Sequence, residues 1–263
     1  MDVVPTHEDR LRTNYSDIGV AVMQAMYSDD YLSIGGIEST NELAQLAGIN
    51  GTMRVLDIGC GLGGPMLQLA ESFGCSVTGI DLVQSSVDRA RLRAAERGLQ
   101  ELSSFDQADA TALPFDDGDF DVVWGQDAWC HVPDKTAMLA EANRVLRPGG
   151  TIAFTDWLAG DGMSFTEREA ALDAALSTTA ASADQYLALL SETGFVDVDY
   201  TDISQTFVRQ YQNVWAGLHE RRADLTTQFG NRVYEIVADI NGTILRGFEG
   251  RAIGGGRFIA SAG

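Results

Sequence analysis

The ten residues Val55–Gly64, VLDIGCGLGG, constrain the fold of this 263-residue chain more than any other stretch. An apolar run carrying one acid leads into four glycines, and PMLQLAESF follows with helical spacing. Glycine turns where other residues cannot, and it leaves no Cβ between backbone and ligand. Strand, glycine turn and helix in that order form the opening unit of a parallel α/β sheet, whose ligands sit at the carboxyl ends of the strands. The spacing of Gly59, Gly61 and Gly63 is G-x-G-x-G, not the G-x-G-x-x-G of dinucleotide enzymes. By itself such a run also fits a purely structural turn.

The rhythm around it supports the sheet. Residues 54–58, 76–81, 105–109, 120–125 and 151–156 read as strands. Helical patterns over 64–73, 85–97 and 135–146 separate several of them, with Gly98 and Arg147-Pro148-Gly149-Gly150 as stops. The expected fold is α/β: a Rossmann-like, doubly wound and mostly parallel sheet. Residues 8–30 and 38–48 read as helices before the first strand, joined by a loop at 31–36. After residue 156 the alternation breaks. A helix and loop over 160–180, a helix over 182–193, a strand over 195–204 and one or two long helices over 209–249 are expected. The tail GGGRFIASAG reads as a loop ending in a short strand, 258–260. This arrangement predicts an N-terminal helical lid, residues 1–50, over a core of residues 51–263 that carries late helical insertions.

Acids fall where a sheet presents them to a ligand. Asp81 ends the second strand, where a carboxylate can accept both ribose hydroxyls. Asp109-Ala110 follows the third, within reach of an exocyclic adenine amine. Asp57 lies in the first strand, placed to orient the glycine turn or to meet an amino group. Each alone also fits a helix cap or a solvated strand end, but three after successive strands suggest one ligand. Eighteen Lys and Arg face 38 Asp and Glu, for a net charge of −20, and only Lys135 is a lysine. That field repels phosphate backbones and anionic membranes, so neither nucleic acid nor a membrane is an expected partner. An acidic, lysine-poor chain fits either a high-salt interior or a genome rich in arginine and alanine codons. No run of 18 apolar residues and no leader pattern at MDVVPTHEDRLR point to a cytoplasmic protein. Three cysteines without CxxC spacing, Cys60, Cys75 and Cys130, fit a reducing compartment, and three scattered histidines give no metal site.

With VLDIGCGLGG, GIDL (79–82), ADATALPF (108–115), FDVVWGQDAWCHVPDK (120–135) and RVLRPGGTIAFTD (144–156), the chain resembles the class I S-adenosylmethionine-dependent methyltransferases. Within that family QDAWCHVPDK, the strand ending in Asp156 and FEGRAIGGGRF are similar to the sarcosine and dimethylglycine N-methyltransferase group. The resemblance implies S-adenosyl-L-methionine as cofactor, with Gly59, Gly61 and Gly63 along its amino-acid part. It also implies Asp81 at the ribose, Leu82 packed on the adenine, Asp109 and Ala110 at the adenine edge, and Gln126 with Asp127 near the sulfonium. Tyr15 or Tyr27 would lie over the cofactor.

His131 is the sharpest single residue. It follows the fourth strand, and an imidazole titrates near neutrality, so it can act as general base or orient the acceptor. Trp129 and Trp157 can hold a cation or stack on an aromatic acceptor, although lid core is an equal alternative. Arg251 or Arg257 can pair with a carboxylate. The expected reaction is an in-line methyl transfer to a small-molecule acceptor, best matched by an amine nitrogen of a glycine derivative. The alternative is C- or O-methylation of an indole, phenol or isoprenoid with His131 as base. An oxidoreductase or a non-catalytic cofactor-binding protein remains a further class, and a monomer or a homo-oligomer is equally open.

Overall fold

A computed structural model describes residues 17–26 and 31–263, together with Thr6, Arg10 and Thr13. Among the described residues, the helices α1 (Asp17–Met26) and α2 (Gly36–Leu46) precede the sheet. Then come β1 (Arg54–Ile58), α3 (Gly64–Phe73), β2 (Ser76–Asp81), α4 (Gln84–Glu96), β3 (Ser103–Gln107), β4 (Phe120–Gln126), α5 (Lys135–Val145) and β5 (Leu146–Ala159). The second half holds α6 (Phe165–Ala174), α7 (Ala183–Glu192), β6 (Phe195–Asp202), α8 (Ser204–Glu220), α9 (Arg222–Phe229), α10 (Asn231–Glu249) and β7 (Ile253–Ala262). No helix among the described residues is long and apolar enough to cross a membrane.

The seven strands form one sheet in the order β3-β2-β1-β4-β5-β7-β6. The first five run parallel, and β7 enters antiparallel between β5 and β6. This is the expected doubly wound, mostly parallel sheet. The strand order reverses between β1 and β4, which opens a crevice at their carboxyl ends. Strand side chains alternate between faces. Val55, Val77 and Trp124 pack on one side with Leu67 and Val87 of α3 and α4. Leu56, Ile58, Val123 and Phe154 pack on the other with Leu139 and Tyr186 of α5 and α7. A separate cluster joins Ile34 to Phe207, Tyr211 and Phe248, so the segment before α2 packs against α8 and α10.

Several boundaries differ from the sequence reading. β5 runs from Leu146 to Ala159, so the Arg147–Gly150 stretch read as a stop lies inside the strand. β3 ends at Gln107, which leaves Asp109 in the following turn. The 209–249 stretch is two helices and most of a third, broken at Arg221 and at Gly230, whose φ is +88°. β7 runs ten residues, not three, and includes the glycine run. Those glycines read as loop, yet a Cβ on Gly255 would stand 2.6 Å from the Phe207 ring and one on Gly254 2.8 Å from Ser204 Oγ. The strand is bare there because α8 lies directly on it.

Candidate active site

The glycine turn after β1 builds one wall of the crevice. Gly59 and Cys60 both donate their N–H to the Ile80 carbonyl, at 2.8 and 2.9 Å, which pulls the turn onto the end of β2. Gly59, with φ +86°, has no room for a side chain: a Cβ would stand 2.7 Å from that of Ala128. Asp81 completes the turn. One carboxylate oxygen accepts the Gly61 N–H and the other the Val83 N–H, each at 2.9 Å. Each oxygen keeps acceptor capacity beyond that bond. Burial raises the Asp81 pKa against these hydrogen bonds. Asp57 is buried, and both burial and the Asp81 charge hold its pKa well above the usual carboxylate range.

These elements enclose a cavity of about 660 Å³, within the range of small-molecule sites. Asp57, Gly59, Gly61, Asp81, Leu82, Asp109, Ala110, Gln126, Trp129 and His131 all contribute to its lining. Gly63 does not; it closes the turn into α3 by accepting the Leu67 N–H at 2.9 Å. The acidic side chains on the lining include five aspartates, at 57, 81, 109, 127 and 134. Asp109 accepts from the backbone and hydroxyl of Thr111, at 2.8 and 2.7 Å, a turn that fixes its carboxylate.

Asp127 joins three elements. Its φ of +55° is left-handed. Its N–H donates to the Thr155 carbonyl at 2.9 Å, and its oxygens accept from Thr155 Oγ1 at 2.9 Å and from the Ile34 N–H at 2.8 Å. Burial pushes its pKa up to about 7. Gln126 beside it accepts from Thr40 Oγ1 at 2.8 Å and Trp124 Nε1 at 3.3 Å. Among the described residues, Gln126 Nε2, Asp57 Oδ1 and Ser33 Oγ are buried without a hydrogen-bond partner. All three residues line the cavity. Orphaned buried polar atoms are costly, and a ligand bearing an amine and a carboxylate would complete them. The residues present therefore fit a cofactor with an amino-acid tail and a ribose.

His131 sits at the end of a single 3₁₀ turn, Trp129–His131. Its Nδ1 lies 2.8 Å from the Leu176 carbonyl, and because a carbonyl only accepts, Nδ1 carries the proton. In the neutral ring Nε2 then holds the lone pair, on a side chain that lines the cavity.

Other sequence-stated candidates stand elsewhere. Trp129 touches the cavity but is 1% exposed, with its indole N–H on the Ile58 carbonyl at 2.9 Å and its ring against Phe154. It is floor, not a movable clamp. Trp157 lies outside the lining and packs on Tyr211 and Phe248, because the β5 alternation turns it to the α8–α10 side. Arg251 also lies outside the lining, in the turn before β7. Arg257 pairs with Glu42 at 2.6 Å on the far part of β7. Tyr15 and Tyr27 lie outside the described residues. Reasoning from sequence missed Ser33 and Thr40, which carry no motif. It also missed the buried set of Lys135, Asp156 and Tyr186 beneath His131. Lys135 offered one signal, as the only lysine of the chain.

Comparison with known proteins finds methyltransferases. A family model described as a methyltransferase domain matches residues 56–154. The methyltransferase GfsG of Streptomyces halstedii is 30% identical over 208 residues, covering 73% of this chain and 75% of that protein. A sarcosine/dimethylglycine N-methyltransferase of Halorhodospira halochloris is 34% identical over 171 residues, 65% of this chain and 61% of that one. A phosphoethanolamine N-methyltransferase of Triticum aestivum is 29% identical over 90% of this chain, which spans about half (46%) of its length. Among solved structures, phosphoethanolamine N-methyltransferase 2 of Haemonchus contortus, with phosphomonomethylethanolamine and S-adenosylhomocysteine, superposes with a TM-score of 0.90. That match is 23% identical and covers 98% of this chain and 61% of the other, a likeness of fold.

Proposed function

Since the chain belongs to the S-adenosylmethionine-dependent methyltransferases, we propose that it methylates a hydroxyl of a neutral, largely apolar small molecule. The observation that carries this reading is His131. Its Nδ1–H is held by the Leu176 carbonyl, which makes Nε2 the basic nitrogen of the neutral ring, on a residue that lines the cavity. An alcohol or phenol must lose its proton as its oxygen is methylated, and a positioned base contributes roughly 10²–10⁴-fold. An amine that is already deprotonated needs no such group. The aspartates on the lining and the net charge of −20 disfavour an acceptor with a free carboxylate or phosphate.

Asp57 and Gln126 would receive the cofactor's amino-acid part, Asp81 its ribose hydroxyls, and Leu82, Asp109 and Ala110 its adenine. When bound, the cofactor supplies an electrophilic sulfonium methyl group and departs as the thioether. The chain's residues then align the acceptor oxygen, exclude water and take its proton. Such alignment can contribute several kcal/mol. N-methylation of a glycine derivative is the second reading, supported by the likeness to the Halorhodospira enzyme. A methyl-transfer screen separates the two. Neutral phenols, macrolide-like alcohols and isoprenoid alcohols form one panel; glycine, sarcosine and dimethylglycine form the other. Methyl ethers are the expected product, and betaine-series products would establish the second reading instead.

A further inference from the structure

Lys135 opens α5 with 6% of its surface exposed. Taking an ammonium out of water costs several kcal/mol, and an apolar residue of similar volume often serves stability as well. What this ammonium holds is specific. Nζ donates to the Val132 carbonyl at 2.9 Å and to the Thr179 carbonyl at 2.6 Å. Val132 directly follows His131. Thr179 lies three residues beyond Leu176, whose carbonyl takes the His131 Nδ1–H at 2.8 Å. Lysine, histidine turn and 175–181 loop therefore close a ring of contacts.

Other bonds brace the same ring. Thr179 Oγ1 donates to the Cys130 carbonyl at 2.6 Å, and Asp156 accepts the Cys130 N–H at 3.0 Å and the Tyr186 hydroxyl at 2.6 Å. Leu176, with φ +53°, closes the end of α6: its N–H and that of Ser177 donate to the Asp173 and Leu172 carbonyls, at 3.1 and 2.8 Å. That end of the loop is held by its own helix, and the Thr179 end is held to the His131 turn by Lys135 and by the Thr179 hydroxyl.

We infer that Lys135 is a positioning residue for the acceptor's deprotonation. By tying the 175–181 loop to the turn that carries His131, it keeps the Leu176 carbonyl on Nδ1 and so keeps the lone pair on Nε2. Without that carbonyl the neutral ring would populate the tautomer protonated at Nε2, which cannot accept the acceptor's proton. The inference rests on His131 acting as base.

Two readouts test it, and one does not depend on turnover. Two-bond ¹H–¹⁵N spectra of the His131 ring, recorded where the imidazole is neutral, should show the Nδ1–H tautomer in the wild type. Lys135→Met should shift it to a mixture, and Lys135→Arg should restore much of the wild-type pattern. On an alcohol acceptor, Lys135→Met should lower kcat at least about tenfold with an unchanged KM for S-adenosyl-L-methionine. The same substitution in a His131→Ala background should cost nothing further, because residues acting through one another are not additive. If Lys135→Met does not fold, Thr179→Val loosens the same loop and carries the same expectations. Unchanged ring spectra, or an equal loss in both backgrounds, would overturn the inference. A His131→Ala enzyme with full activity would instead sink the reading of His131 as base, while the ring spectra still decide the clamp.

Discussion

In the proposed function Asp81 carries the cofactor's ribose. Its two oxygens hold the Gly61 and Val83 N–H groups, and the residue lines the cavity. Asp81→Ala should weaken S-adenosyl-L-methionine binding by about 2 kcal/mol, the loss of two charge-assisted hydrogen bonds. Calorimetry that found the affinity unchanged would refute the ribose assignment. Asp127 carries a pH signature. Its carboxyl titrates at about 7 in the folded protein, against about 3.9 in an unfolded chain. Between those values the folded state keeps a proton that the unfolded state has lost. The stability it contributes is therefore complete below pH ~4 and is lost as pH rises through about 7. Asp156, which burial raises to about 6, adds a similar trend, so Asp127 must be isolated by difference. Wild-type stability minus that of Asp127→Asn, from urea midpoints, should fall between pH ~4.5 and ~7.5; a flat difference would show that the carboxyl titrates normally. The sequence located the acids and His131 through their place after strands. It could not disclose the role of Lys135, Thr179 or Leu176, because their bonds around the His131 turn run through backbone carbonyls that no side-chain pattern encodes.

At the scale of elements, the turn between β1 and α3 tolerates little. A side chain at Gly59 would force a left-handed residue and meet Ala128 at 2.7 Å. Gly59→Ala should cost at least about 1 kcal/mol of stability from backbone strain alone and distort the cavity wall. Adding Ala128→Gly should relieve the clash but not the strain, so thermal unfolding should show partial recovery. Full recovery would mean that φ is not the constraint. The strand–turn–helix units up to β4 were legible because apolar runs and glycine stops agree there, whereas Arg147–Gly150, read as a stop, lies inside β5. β7 was not, since a glycine run normally marks a loop, and only the close approach of Phe207 explains why this one is a strand. The helical pattern over 209–249, read as one or two long helices, is divided at Arg221 and at Gly230, whose left-handed φ of +88° ends one helix before the next begins.

For the whole molecule, a net charge of −20 on 263 residues makes self-repulsion a global term. Screening shrinks to about 3 Å at 1 M salt, so the melting temperature should rise as sodium chloride goes from about 0.05 to about 1 M. A falling melting temperature would mean that exposed pairs such as Arg91–Asp106 and Arg147–Asp121 outweigh the repulsion. In the proposed function the same field bears on the acceptor, since aspartates share the cavity lining with His131. The most direct measurement is methyl transfer by the wild type and by His131→Ala, side by side, on the neutral hydroxyl panel and the glycine series. The account predicts methyl ethers from the wild type and a loss of roughly 10²-fold or more in His131→Ala, with cofactor affinity unchanged. Turnover confined to the glycine series, or equal rates for the two proteins on an alcohol, would contradict it.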